Sequence, residues 1–182
     1  YVVTVAESFT GFVFGMQHTV VKPPAAAARD PVAIVSACVI PAVVGEYILT
    51  EHDVCAGLSR QQHPDIIAIA DHALDTHGAD TGRSGCVELR EPYGIPFRCL
   101  VPQGWSNLLV ACRGASFSSL AASSCRLSRT MMQLGQAAGT AAFLAREQNC
   151  PVAVVNPRAL LREQGVQLEW PMPPVIAARL DR

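Results

Sequence analysis

At 182 residues the chain is long enough to bury a real core, as one large domain or one and a half. Its formal net charge of −1 provides neither a basic field for nucleic acid or an anionic membrane face nor an acidic tail for a basic partner. Only 16% of residues are charged, while 50% are hydrophobic and 6% aromatic. The surplus is therefore small aliphatic residues, which fits either a compact alanine-rich α/β domain or a piece whose surface faces more protein.

No apolar run reaches the roughly 18 residues that a membrane span needs. The most apolar stretch, 32–44, is broken by Ser36, Cys38 and Pro41 and has no basic flank, so it also makes a poor signal peptide. The start at Tyr1 rather than Met is what a processed or truncated product would show. The 7 cysteines are odd in number and include no Cys-x-x-Cys pair. Buried free thiols in a reducing, cytoplasmic setting are the expectation.

Residues 1–44 are poorly assigned. Within them 1–5 and 12–14 are strand candidates, Pro23-Pro24 and the four alanines after it a linker, and 32–40 a buried strand. From Gly45 the signals sharpen. Residues 47–49 form a short strand candidate, and Thr50 followed by Asp53 marks the start of a short helix that stops at Gly57. Residues 66–70 are an apolar strand and 78–85 a polar, glycine-containing loop. Strands are expected over 86–89 and 97–101, flanking a turn over 91–96, with another turn at Gln103-Gly104. Residues 108–112 form a continuous apolar strand of the kind buried on both faces of a parallel sheet. A small-residue loop leads to a helix over 129–148, with Ser128 as its N-cap. Pro151 ends that region, 157–164 form a last short helix with Gly165 just past its end, and the Pro-rich 170–174 is peripheral.

The long helix bears on chemistry in two ways. Gly135, Ala137, Ala138, Gly139, Ala141 and Ala142 leave little side chain on two of its faces. Glycine inside a helix costs up to ~1 kcal/mol relative to alanine, so close backbone approach is the expected compensation. Its first turn, 129–132, offers backbone N–H groups and the positive end of the dipole, an arrangement that suits an anion or a developing negative charge. Arg126 would add a fixed positive charge there. Other constellations carry less. His72, Asp75 and His77 are close in sequence but lack a clear further metal ligand. Gly114-Ala-Ser116-Phe-Ser118 lacks the second glycine of a nucleophile elbow.

Several motifs recur in order and at family-like spacing: Gly45-Glu-Tyr-Ile-Leu-Thr50, Asp75-Thr-His77, Tyr93-Gly-Ile-Pro-Phe-Arg98, Asn107-Leu-Leu-Val-Ala111 with Arg113, Ser124-Cys-Arg126, and Gly135-Gln-Ala-Ala-Gly-Thr-Ala-Ala142. On these, residues from about 45 to 170 resemble the FAD-dependent oxidoreductases related to the succinate dehydrogenase and fumarate reductase flavoproteins. The resemblance implies an α/β fold in which part of a substrate-covering α+β domain, 1–100, leads into the C-terminal strand and helices of a Rossmann-like FAD-binding domain, 101–182. It implies that Arg113, Arg126, Leu127, Ser128, Arg129 and Thr130 lie against the flavin, with Arg126 also the catalytic, substrate-anchoring arginine. Asp75, His77, Tyr93 and Arg98 would line the cavity for a small-molecule substrate. The sequence departs from the family pattern at Cys112, where Gly is usual, at Arg129, where Pro is usual, and at Ser119-Leu120, which replaces a His-Glu pair. It also contains no Gly-x-Gly-x-x-Gly turn to cradle a pyrophosphate. FAD is therefore expected to be held tightly only with the N-terminal dinucleotide-binding part of the same enzyme as partner. The alternative is a non-catalytic remnant or interaction module that binds no FAD by itself.

Overall fold

The computed structural model describes residues 2–4, 42–75, 86–171 and 174. The expectations at 12–14, 23–28, 32–40 and 78–85, and the position of His77, lie outside the described residues.

The chain is α/β. Its first strand, β1 (Val2–Thr4), runs parallel to β6 (Leu108–Val110), with Val2 opposite Leu108 and Thr4 opposite Val110. The intervening chain builds two antiparallel pairs. β2 (Ile66–Ala70) pairs with β5 (Tyr93–Pro96), and β3 (Leu74–Asp75) with β4 (Cys86–Val87). Residues 47–49 form no strand and are tied down by single bridges, Gly45 to Pro102 and Leu49 to Phe117.

The expected turn at 91–96 is largely strand β5. Prolines suggest a turn, but here Pro92 precedes the strand and Pro96 closes it, where a missing N–H does least harm. All four β5 residues are buried against β2, and Gly94 lies so close to Ile66 that a Cβ would sit 2.5 Å from its side chain. The expected strand over 97–101 is instead a 3-10 turn, Phe97–Cys99. Two bonds bend the chain there: Phe97 N–H donates to the Asp65 carbonyl (2.8 Å) and Leu100 N–H to the Phe97 carbonyl (2.8 Å).

Helix α1 (Glu51–Ala56) begins and ends as its residues dictate. The Asp53 carboxylate accepts from the Thr50 N–H (2.8 Å) and hydroxyl (2.9 Å), and Gly57 leaves the helix at φ 74°. A second helix, α2 (Ser119–Cys125), replaces the expected small-residue loop, and the Ser118 hydroxyl caps it by accepting from the Ala121 N–H (3.2 Å). Its serines and alanines carry a weak periodic signal, so burial of Ala121, Ser124 and Cys125 settles its conformation. Helix α3 (Ser128–Glu147) starts one residue before the expected position, with Leu127 rather than Ser128 as N-cap. α4 (Arg158–Glu163) follows Pro157, and Gly165 takes φ 83° beyond it.

α3 lies on β2, with Leu134, Ala137, Ala138, Ala141 and Ala145 at 0% exposure. The alanines therefore do serve close packing. Gly139 does not, because a Cβ built there meets nothing within 4 Å. Leu49, Ile67, Tyr93, Ile95, Leu109 and Leu161 complete one continuous core with them.

A polar network braces α1 against the β2–β5 pair. Asp53 accepts from the Tyr47 hydroxyl (2.8 Å) and contacts His63 Nε2 (3.3 Å), while Asp65 holds Arg98 through Nε (3.0 Å) and Nη2 (3.2 Å). Burial raises the Asp53 carboxyl pKa, but the hydrogen bonds from Thr50, Tyr47 and His63 outweigh it and leave the group below its ordinary 3.8. Burial, with Asp53 next to it, pushes the Tyr47 hydroxyl up to about 12. A carboxyl depressed in the folded state stabilises the fold above its unfolded pKa, and that contribution is lost as pH falls through the folded value. Asp53→Asn should therefore cost about 1–3 kcal/mol at neutral pH. The gap to the wild type should narrow in urea melts below about pH 4, where the wild-type carboxylate is being protonated.

Candidate functional site

Arg113, residues 126–130 and Asp75, all singled out by sequence, come together where α2 hands over to α3, beside the loop that leaves β6. In α/β sheets this is where ligands sit, beyond the carboxyl ends of the strands. β6 carries the chain to Arg113, whose Nε donates to the Arg126 carbonyl (2.9 Å). Arg126 ends α2 at φ −70°, ψ −2°, and Leu127 turns extended before α3 begins. Arg113 thereby locks the joint between the two helices.

The start of α3 is open. Leu127 has no side-chain acceptor, the first turn holds no acid, and among the described residues nothing accepts from the amides of Ser128, Arg129 or Thr130. The first intrahelical bond is made by Met131 N–H to the Leu127 carbonyl (3.0 Å). Ser128 and Arg129 are exposed, whereas the Thr130 side chain is packed inward at 1% exposure. Two acids flank this end. Asp75 lies 3.8 Å from the Arg126 guanidinium, and Asp71 pairs with Arg129. Asp75 is set by its backbone N–H, which donates to Ser123 Oγ (3.0 Å) on α2.

Tyr93 and Arg98, expected at the substrate cavity, are placed differently from the rest. Tyr93 is 0% exposed. Its hydroxyl meets Ser124 Oγ at 2.7 Å, Ser124 donates to the His72 carbonyl, and burial pushes the phenol far above its ordinary range. Arg98 is held by Asp65 in the network beneath α1, a contact that raises its pKa, and its guanidinium lies 5.2 Å from the Tyr47 ring centroid. Tyr93 thus reaches the end of α2 through Ser124 and lies within electrostatic range of Asp71 and Arg129, whereas Arg98 is engaged by Asp65. Among the described residues no three His, Cys, Asp or Glu side chains gather as a metal site. Ser116 is buried and accepts from the Gly45 N–H (2.9 Å), and Ser118 caps α2, so both hydroxyls of that segment are in structural use.

Sequence reasoning missed Asp71, Ser123 and Gln133. Gln133 extends the edge of β2 like a neighbouring strand, accepting from the Ile69 N–H (3.1 Å) and donating to its carbonyl (3.2 Å). Its position one turn after Arg129 was the available signal, since the two share a helix face.

The FAD dependent oxidoreductase family model matches residues 42–164, well over half the chain. The chain belongs to that family. Comparisons with curated proteins and with solved structures each return no match. The matched span contains α1 through α4 and every site residue named above, and the α/β architecture is consistent with a Rossmann-like flavoprotein. Membership gives the chain a family whose chemistry is flavin-dependent oxidation and reduction. No described helix is long and apolar enough to cross a membrane.

The Tyr93–Ser124–His72 relay joins β5, α2 and the β2–β3 link, and so supports the joint from below. Ser124→Ala would strand both the Tyr93 hydroxyl and the His72 carbonyl, costing about 2–3 kcal/mol, whereas Tyr93→Phe leaves Ser124 bonded and should cost about 1 kcal/mol or less. Guanidinium denaturation of the two variants checks that order.

Proposed function

We propose that this chain is the C-terminal portion of a flavoprotein of the succinate dehydrogenase and fumarate reductase type, which moves a hydride between a small organic substrate and FAD. The observation that carries the reading is the start of α3, where among the described residues nothing accepts from three amides and Arg126 and Arg129 are close in sequence. This donor set fits the electron-rich pyrimidine edge of a flavin. It does not fit the pyrophosphate, because the sequence contains no Gly-x-Gly-x-x-Gly turn. The partner that supplies that turn is the dinucleotide-binding segment of the same enzyme.

In this reading, FAD when bound supplies the two-electron acceptor or donor for the substrate hydride. The chain's own residues orient and hold charge. The amides of Ser128, Arg129 and Thr130 stabilise negative charge on the ring edge. Arg113 keeps them aimed by bracing the Arg126 carbonyl. Arg126 presents its guanidinium to an anionic group of the substrate, with Asp75 and His77 at the same cavity. Arg98 and Tyr93 enter as support for that cavity, through Asp65 and Ser124. The 1–100 portion covers the substrate, and 101–182 closes the cofactor domain.

A second reading has its own observation. The outer face of α3 exposes Met132 (63%) and Phe143 (55%), with Gly139 in open space between them, as an interaction module that binds no FAD by itself would show. Fluorescence titration of FMN and FAD into the purified protein separates the two. The flavoprotein reading expects saturable quenching in roughly the ten-micromolar to millimolar range. It expects about five- to twentyfold weaker binding in Arg126→Gln and partial recovery in Arg126→Lys. Quenching that rises linearly, or that ignores Arg126, leaves only the interaction module.

A further inference from the structure

A cleft of about 470 Å³ runs along the flank of α3, between the end of β2 and the chain that follows α4. Its size falls within the roughly 300–1,000 Å³ of small-molecule sites. Of the residues at the α3 start, Arg129 lines it and Ser128 and Thr130 do not.

The lining excludes charged ligands. Its only ionisable side chains are Asp71 and Arg129, and they pair with each other. What remains is amide chemistry. Gln136 Nε2 donates to Gln164 Oε1 (2.9 Å), which also accepts from the Thr140 hydroxyl (3.2 Å). Holding that one oxygen with two donors fixes the Gln164 amide. It leaves the Gln164 NH2 as a donor and Gln136 Oε1 as an acceptor, side by side and without protein partners among the described residues. Gln167 adds a second acceptor, since only its Nε2 is engaged, on the Glu169 carbonyl (3.2 Å). At the cleft's edge stands Trp170, 48% exposed, and Ile69 and Val166 supply apolar wall.

We propose that this cleft binds a neutral planar heteroaromatic ring with a hydrogen-bond donor beside an acceptor, the chemistry of a nucleobase. The paired amides read the ring edge, as glutamine does with adenine, and the indole stacks on its face. The flavin ring presents a similar edge, so the test must tell a free nucleoside from a flavin. The proposal does not depend on the flavin reading, because it uses none of the α3 amides and none of Arg113 or Arg126.

The test is calorimetric titration of adenosine, uridine and FMN into the whole chain. At least one nucleoside should bind saturably, with a dissociation constant roughly between ten micromolar and a few millimolar. Gln164→Leu and Gln136→Leu should each weaken it about five- to tenfold. Trp170→Ala should weaken it roughly tenfold or more, with Trp170→Phe retaining most of the affinity. Arg126→Gln should leave nucleoside binding unchanged while it weakens FMN, which separates this site from the flavin reading. Circular dichroism unchanged from wild type confirms that each variant is folded. The proposal is overturned if neither nucleoside binds, if binding ignores Gln136, Gln164 and Trp170, or if FMN alone binds and is lost with Gln164.

Discussion

Every α-helix begins with N–H groups that have no acceptor inside the helix, and what meets them decides much of this structure. The chain closes two of its helix starts from within. Asp53 folds back on Thr50 at α1, and the Ser118 hydroxyl caps α2. At α3, the longest helix, neither device is used: Leu127 occupies the capping position, and no acid sits in the first turn. Twenty aligned peptide units place about half a positive charge at that end, and among the described residues its first amides have no acceptor. Among the described residues, the donors at the start of this long helix are not used by the fold itself.

That open end is held still by its neighbours. Arg113 fixes the Arg126 carbonyl, and Ser123 fixes the backbone of Asp75, the acid that faces Arg126. Gln133 clamps α3 to β2 at Ile69, and Ser124 links Tyr93 to the His72 carbonyl beneath the joint. Each contact ties the α2–α3 joint to a different strand. Beneath it the four alanines Ala137, Ala138, Ala141 and Ala145 let α3 settle directly on the sheet. Preorganisation of this kind matters more than the number of charges. Donors already aimed cost nothing to reorganise when charge develops in front of them.

The sequence was most legible where local chemistry is self-sufficient. Thr50, Asp53 and Gly57 marked the limits of α1, the apolar run at 66–70 marked β2, and Pro157 with Gly165 bounded α4. It was least legible where distant partners decide. Pro92-Tyr93-Gly94-Ile95-Pro96 has the composition of a turn, yet it is strand because β2 lies alongside and buries all of β5. Ser119–Cys125 has the composition of a loop and is helix because one face packs into the core. Within the site, Arg113, Arg126 and Asp75 were found by motif, but Asp71, the acid that pairs with Arg129, was not. Asp71 and Arg129 are 58 residues apart, and no local spacing announces their contact. Gly139 errs in the other direction. Its expected close neighbour is not among the described residues.

The arginines and the amides differ in what they contribute to this end of α3. Arg126 and Arg129 are 41% and 58% exposed, and each faces an aspartate. Ion pairs so open to water are worth roughly 0–1 kcal/mol and weaken further with salt. The amides cannot swing away, since their direction is fixed by the helix, and among the described residues no side chain accepts from them. The residue at 129 adds to this set. The resembling flavoproteins usually carry proline there, which has no N–H, so arginine supplies one more backbone donor at the second position of the helix. The guanidiniums therefore act as adjustable charges around a fixed one. The backbone at the start of α3 is the fixed element of the set, and Arg113 restrains it through the Arg126 carbonyl.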